Sequence, residues 1–513
     1  MFVYEKTRRN LIFAEYFFIP LQTVTTKRLM KKFFLVNLLF LLTPNIIIKS
    51  FWILGIDKSV QNALPSGEYG LYFALLNFTY IFNIILDCGI TNFNNKTIAQ
   101  NTFLLKKYFA RILSLKLVLS LVYICIVFVV AICSGYNSRV FGILFWLSLF
   151  QVFTYLLSYF RSNILALLLF KTDSVLSVLD KSLTIIFCSI LLWTDFLKTD
   201  FRVEYFVYAQ VLSLFISCLT ALFIVLRKTG FIPLVWNTSF NIVILKYGLP
   251  FALLSLLMAF YNKIDSVLLE RLLNDKGFAA GIYAAGFRMV DSANMISYLF
   301  SVILLPLFAK LIKEKADIKG IIKISSHLLL FMSMGFAILS FLYAQEIMSL
   351  LYNKNITQSA DVYGILCFCF IPISATYIFG TLLTANGSLK YLNIVAGLGM
   401  IINIVLNLIL IPSYKENGAA FTSLVAQTIT AVLQIIIALR IFRIKFNIKY
   451  TLRLLSFAIC MCICCILIHN VNLFWINKII ISVVVCTGLS FVFDIFNIKE
   501  IISFVTQTVK EGK

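Results

Sequence analysis

Between residues 33 and 496 the chain repeats one pattern: an apolar run of about twenty residues, a short polar connector, and another apolar run. A helix of roughly 18 or more apolar residues is long enough to cross about 30 Å of hydrocarbon. The pattern places such helices at 33–55, 69–91, 109–133, 140–168, 174–193, 203–226, 247–269, 282–309, 325–345, 361–385, 390–412, 418–440, 452–470 and 476–496. The fold class this predicts is an all-α integral membrane protein of about 14 transmembrane helices. Composition agrees, with 61% hydrophobic residues, a mean hydropathy of +0.97 and only 13% charged residues, against about 25% in soluble domains. A water-soluble core has no use for that much apolar surface.

Charge fixes an expected orientation. Threading the connectors alternately to the two sides puts 29 of the 44 basic residues on the side of the amino terminus and nine on the other. By the positive-inside rule both termini are then cytoplasmic. The formal net charge of +22 is read as this orientation signal and not as a nucleic-acid footprint, because the basic residues are spread over many short loops. The twelve cysteines sit in apolar runs such as Cys367-Phe-Cys369 and Cys462-Ile-Cys464-Cys465, where cysteine behaves as a small hydrophobe. Only His327 and His469 offer imidazoles, neither at metal-ligand spacing, so no metal or cofactor is expected. Nucleotide-binding and nucleophile motifs are missing, and no loop is long enough for a soluble catalytic domain. The chain is therefore expected not to be an enzyme. Residues 1–29 are mixed in character, whereas a start at Met30 would give an ordinary basic leader and first helix; the extension is expected to be a start-site artefact or a cytoplasmic tail.

An internal echo divides the chain. Gly70-Leu-Tyr72-Phe-Ala74 opens the second span and Gly281-Ile-Tyr283-Ala-Ala285 opens the eighth, on the same expected side. The expected organisation is an amino-terminal lobe of spans 1–6 (30–228), a second lobe of spans 7–12 (229–445), and two added helices with the tail (446–513), with a cavity between the lobes.

The stretches 49–100, 247–311 and 385–423, including "GEYGLYFALLNFTYIFNIILDCGITNF" and "GIYAAGFRMVDSANMISYLFSVILLPLFAKL", resemble the polysaccharide-biosynthesis (O-antigen and capsule repeat-unit) flippases of the multidrug/oligosaccharidyl-lipid/polysaccharide exporter superfamily. The resemblance covers nearly the whole chain from Met30, and its specificity lies in the order and spacing of soft motifs. It implies a multi-pass protein of the bacterial inner membrane that moves undecaprenyl-diphosphate-linked oligosaccharide from the cytoplasmic to the periplasmic leaflet by alternating access. Its partners would be that lipid-linked substrate, membrane lipid, and the polymerase and export machinery of a surface polysaccharide.

Charges inside apolar spans cost several kcal/mol and are functional candidates. Lys49, Lys263, Asp265, Arg288 and Asp291 fall toward the outer half of their spans, and Asp87, Lys116, Arg161, Asp180 and Lys181 toward the inner half. A diphosphate is held by Arg and Lys through charge-assisted hydrogen bonds, so Arg161, Lys263, Arg288, Lys49 and Lys181 are the candidate substrate-binding cations. The bland alternatives are ion pairs that tie helices together, Arg288 with Asp291 above all, and snorkelling of Lys116 and Lys49. Asp265 and Asp291 are candidates for ion coupling or for such pairing. Pro44, Pro250, Pro306 and Pro372 interrupt spans and are candidate kinks; Tyr72, Tyr261 and Tyr283 are candidate glycan contacts. The rival functions are a drug/ion antiporter of the same superfamily, a peptidoglycan-precursor flippase, and, from another class, a membrane glycan polymerase, for which the chain lacks the large loop that such enzymes use.

Overall fold

The computed structural model describes residues 44–45, 47–91, 94, 98, 103–167, 169–193, 201–230, 233–273, 275–315, 317–444 and 448–493. The expectations for residues 1–29 and for most of the first span lie outside them. Every regular element among the described residues is helical. In hydrocarbon each backbone N–H and C=O must find its partner within the protein, and a helix achieves this inside one segment.

A π-helical turn, Trp52–Asp57, leads into α1 (Lys58–Ala63). The second span is split by a turn at Phe82 and Asn83 into α2 (Ser66–Ile81) and α3 (Ile84–Asp87). Then come α4 (Leu104–Cys133), α5 (Ser138–Ala166), α6 (Phe170–Trp193) and α7 (Val203–Thr229). The second half holds α8 (Thr238–Leu272), α9 (Phe278–Lys313), α10 (Lys319–Leu342), α11 (Ala344–Leu351), α12 (Ile356–Leu366), α13 (Phe370–Ala385) and α14 (Leu389–Ile441). Two further helices, α15 (Ile448–His469) and α16 (Trp475–Val492), complete the described chain.

Nine helices among the described residues are long and apolar enough to cross a membrane. One of them, α14, is two spans: at about 1.5 Å per residue its 53 residues would extend some 80 Å, and Lys415 leaves helical geometry at φ 48°, ψ −129°. The halves of α14 fold back on each other, since a Cβ on Gly399 would collide with Thr430, one on Gly418 would meet the Leu410 carbonyl oxygen at 2.6 Å, and Asn407 and Ser423 reach the same carboxylate. With α2–α3, the split α12–α13 and the pair α15–α16, the spans from the second to the fourteenth match the hydrophobic pattern. Pro372 accounts for the split of the tenth span. Its ring has no N–H and clashes with the carbonyl of residue 368, and the chain answers with a 3₁₀ turn at Cys367–Cys369. Helices α8 and α9 run on through Pro250 and Pro306.

The halves meet chiefly at one helix of the first half. α2 packs along both α8 and α9, while α7 sits against α5 and α6, α8 against α14, and α13 against α9 and α14. At one end, here the upper end, the echo glycines meet each other. A Cβ on Gly70 would overlap the Gly277 carbonyl oxygen and the Gly281 amide, so the backbones of α2 and α9 touch directly. Gly277 itself turns at φ +83°, and Asp275 caps α9 by accepting from the Ala279 amide at 2.9 Å. At the lower end Gly248 of α8 lies against the Cys88 carbonyl and Gly89.

Lys116 departs from expectation. It does not snorkel but is 1% exposed, donating to Asp87 Oδ1 at 2.7 Å and to the Leu86 carbonyl at 3.1 Å. The carbonyls left open where α3 stops one turn after it starts give an ammonium a partner set inside the bundle.

Candidate functional site

Five cations were expected to line one cavity, and the geometry separates them. Arg161 of α5 makes a two-pronged pair with Asp173 of α6, Nε to Oδ1 at 2.8 Å and Nη2 to Oδ2 at 3.1 Å. Lys181 of α6 lies 3.6 Å from Asp180 and faces the rings of Trp52 and Phe150 at 5.1 and 5.7 Å. Lys49 sits in the electrostatic reach of Asp180, Arg161 and Lys181. These three cations and two carboxylates form one cluster in the first half, within a single charge of neutrality.

Arg288 of α9 reaches out of its own half. Its Nε is 2.9 Å from Asp57 Oδ2, beside the Tyr69 hydroxyl, which also donates to Asp57 at 2.8 Å; the two charged side chains are 15% and 2% exposed. Arg288 thus pairs with Asp57, not with Asp291 one turn along its own helix. Around this pair the upper end is sewn shut: Gln61 donates to the Gly281 carbonyl at 3.1 Å, Asn62 to the Leu351 carbonyl at 2.9 Å, and Lys354 to the Leu64 carbonyl at 3.0 Å. Tyr136 adds a bond to Glu270 at 3.1 Å.

Lys263 of α8 has no carboxylate partner among the described residues. Its ammonium lies over the Phe287 ring at 4.8 Å and the Tyr80 ring at 5.9 Å, within reach of cation–π attraction to both. It lines a cavity of about 480 Å³ among α8, α9, α13 and α14, together with Asp291, Asn262, Asn294, Gln427 and Gln434. That volume is typical of small-ligand sites, about 300–1,000 Å³. The lining runs down to Thr384 and Leu392, near the lower end of α13 and the start of α14. Of the candidate tyrosines only Tyr261 lines it; Tyr72 bonds to Gln210, and Tyr283 to Asp265.

Asp265 is 2% exposed and joined to the cavity wall through Ser423. Its Oδ1 accepts from Asn403 at 2.9 Å and Asn407 at 2.6 Å, and its Oδ2 from Tyr283 at 3.1 Å and from Ser423. Every partner is uncharged. One oxygen at this spot, Asn407 Oδ1, is buried without a hydrogen-bond partner among the described residues. Among the described residues no group of three or more His, Cys, Asp or Glu is placed to hold a metal ion.

Sequence reasoning passed over the residues that complete these sites. Asp57 and Asp173 stand near span ends, where a carboxylate draws no notice. The amides Asn262, Asn294, Gln427 and Gln434 are polar but uncharged. The Asn403/Asn407 pair did carry a signal, two amides four apart and hence on one face of an apolar helix.

Comparison with known proteins agrees with this architecture. A family described as polysaccharide biosynthesis protein matches residues 59–312. An uncharacterized membrane protein of Methanocaldococcus jannaschii is 27% identical over 210 residues, 40% of this chain and 48% of that protein, so the match spans about half the length of that curated relative. Among solved structures, the lipid II flippase MurJ in an inward closed conformation aligns with a TM-score of 0.69 at 14% identity, covering 87% of this chain and 98% of MurJ. An inward-facing multidrug resistance MATE family transporter of the MOP superfamily aligns at 0.58 and 14% identity, covering 75% and 93%. At such identities the structural likeness shows the fold, and the family match falls on the helices that carry Asp57's neighbours, Lys263, Asp265 and Arg288. Residues 59–312 thus match the polysaccharide biosynthesis protein family, and the chain is built on the multi-helix fold shared by MurJ and the MATE transporters.

Proposed function

We propose that the protein is a flippase that carries undecaprenyl-diphosphate-linked oligosaccharide from the cytoplasmic to the periplasmic leaflet by alternating access of two lobes. The observation that carries this reading is Lys263: a lysine without a carboxylate partner among the described residues, set in the wall of a polar cavity inside an apolar bundle. Low dielectric around such a cation strengthens its hold on an anionic headgroup. The five-cation cavity contracts in this reading to Lys263 as the direct anion contact. Arg288 becomes the gate residue, exchanging Asp57 for substrate when the upper end parts, and Arg161, Lys181 and Lys49 hold the first lobe together.

The lower end, which collects most of the basic loops, is taken as cytoplasmic. The closed upper end and the cavity reaching toward the lower end then describe a state that loads from inside. Asp265 is proposed as the coupling site. A buried carboxylate ringed by neutral hydroxyls and amides, with the Asn407 amide oxygen beside it unmatched among the described residues, suits a small monovalent cation or a proton; Asp291, in the cavity wall, is its secondary candidate.

The test is a reconstituted flip assay. Purified protein in liposomes should make a fluorescent undecaprenyl-diphosphate oligosaccharide accessible to an external quencher, and Lys263→Gln should abolish this. A rate equal to that of protein-free liposomes would sink the proposal. The drug/ion antiporter reading predicts instead that a cationic dye is moved against an ion gradient.

A further inference from the structure

The cavity described above carries more than an anion contact. Three oxygens of side chains that line it are buried and have no hydrogen-bond partner among the described residues: Asn294 Oδ1, Thr376 Oγ1 and Gln434 Oε1. Gln434 is 6% exposed, and it is seated there by the chain's own design. A Cβ on Gly380 would lie 2.7 Å from Gln434 Oε1, so the absence of a side chain at Gly380 makes room for the amide.

The two amide oxygens can only accept hydrogen bonds and the Thr376 hydroxyl can accept as well as donate; leaving such an atom buried and unmatched costs about 1–3 kcal/mol. A ligand that repays that cost must bring donors. A bare cation is a poor match, because it would share the cavity with the Lys263 ammonium. Hydroxyl and acetamido N–H groups are donors without charge. The wall also offers aromatic surface in Tyr377, which meets Tyr298 edge-on at 6.4 Å between ring centroids, and the apolar face of a pyranose packs on such rings.

We infer that this cavity is a sugar subsite, in which Gln434, Asn294 and Thr376 accept hydrogen bonds from a pyranose of the cargo while Lys263 holds its anionic attachment. The inference rests on the flippase reading and assigns the recognition of sugar, as distinct from lipid diphosphate, to the second half of the chain. A site built to bond a hydroxyl or N–H rejects an analogue lacking it, because its own buried groups are then left unpaired.

The test uses two lipids that differ by one sugar, undecaprenyl diphosphate and undecaprenyl-diphosphate-N-acetylglucosamine, with phosphatidylglycerol as reference, and reads lipid retained on the detergent-solubilised full chain by native mass spectrometry. Wild-type protein should retain the sugar-bearing lipid about tenfold more tightly than the bare diphosphate. Gln434→Leu and Asn294→Leu should erase that preference while leaving the bare diphosphate bound as before, and Lys263→Gln should weaken both lipids alike. Gly380→Ala, which displaces the Gln434 amide and removes no polar group, should reproduce Gln434→Leu and serves if that variant does not fold. Equal retention of both undecaprenyl lipids by the wild type, or a preference that survives the variants, overturns the subsite and leaves the flippase reading in place. Retention of neither above phosphatidylglycerol overturns both.

Discussion

Removing the carboxylate of Asp57 should open the upper end. In the closed arrangement Arg288 is 15% exposed and its ion-pair partner is Asp57, itself 2% exposed. Breaking a buried pair by deleting one member costs about 3–5 kcal/mol, because the other charge is left without compensation. Once the upper end parts, both groups meet water and that cost largely disappears. Asp57→Asn keeps the shape and one acceptor oxygen for Tyr69, so the lower figure applies: about 3 kcal/mol against the closed state, or on the order of a hundredfold in the equilibrium. A protein that is closed 99 times in 100 would then be open about half the time. The readout is cross-linking between Asn62→Cys and Asn353→Cys in a background lacking the twelve native cysteines, since the Asn353 amide donates to Asn62 Oδ1 at 3.1 Å across the upper end. Cross-linking should slow about twofold in Asp57→Asn, in step with the closed fraction, and recover in the charge exchange Asp57→Arg with Arg288→Asp. Equal rates with and without the Asp57 carboxylate would refute the assignment of this pair as a latch.

Other expectations follow from the same geometry. Gly70→Ala should lower cross-linking at the upper end and reduce transport, because its Cβ has only the α9 backbone at Gly277 and Gly281 to displace, whereas Gly142→Ala, which meets nothing within 4 Å, should leave both unchanged. Arg161→Gln should reduce protein yield or thermal stability, by about 3–5 kcal/mol for the orphaned Asp173 at 4% exposure, while the specific flip rate of the surviving protein stays near wild type. Asp265→Asn should abolish any dependence of the flip rate on a sodium or proton gradient, measured in liposomes with imposed gradients; a gradient response that persists in this variant excludes Asp265 as the coupling group.

The spans were legible because a twenty-residue apolar run has few alternatives, and even the return within α14 was marked by the polar stretch Ser413 to Asn417. Gly70 and Gly281 stood out in the sequence as an echo, and their contact did not: nothing local says that the two segments face each other. Charged candidates were visible one residue at a time, and their partners were not. Arg288 is three residues from Asp291 and hundreds from Asp57, and helix spacing favours the near acid, but the packing of α2 on α9 brings the π-helical turn at Trp52–Asp57 against Arg288 instead. The same long-range packing turned Arg161 toward Asp173 and left Lys263 facing aromatic rings. Gln434 and Asn294 escaped attention because an uncharged amide in a span is a weak signal until its unmatched oxygen is seen in a cavity wall.

The central claim is that the chain moves a lipid-linked glycan across the membrane. Its most direct test is deletion and complementation in the native host, scoring surface polysaccharide together with the undecaprenyl-diphosphate oligosaccharide held on the cytoplasmic leaflet. The account predicts that surface glycan is lost while the lipid-linked unit accumulates inside, and that wild type but not Lys263→Gln reverses both. Unchanged surface glycan with increased susceptibility to cationic drugs would contradict it and favour an antiporter.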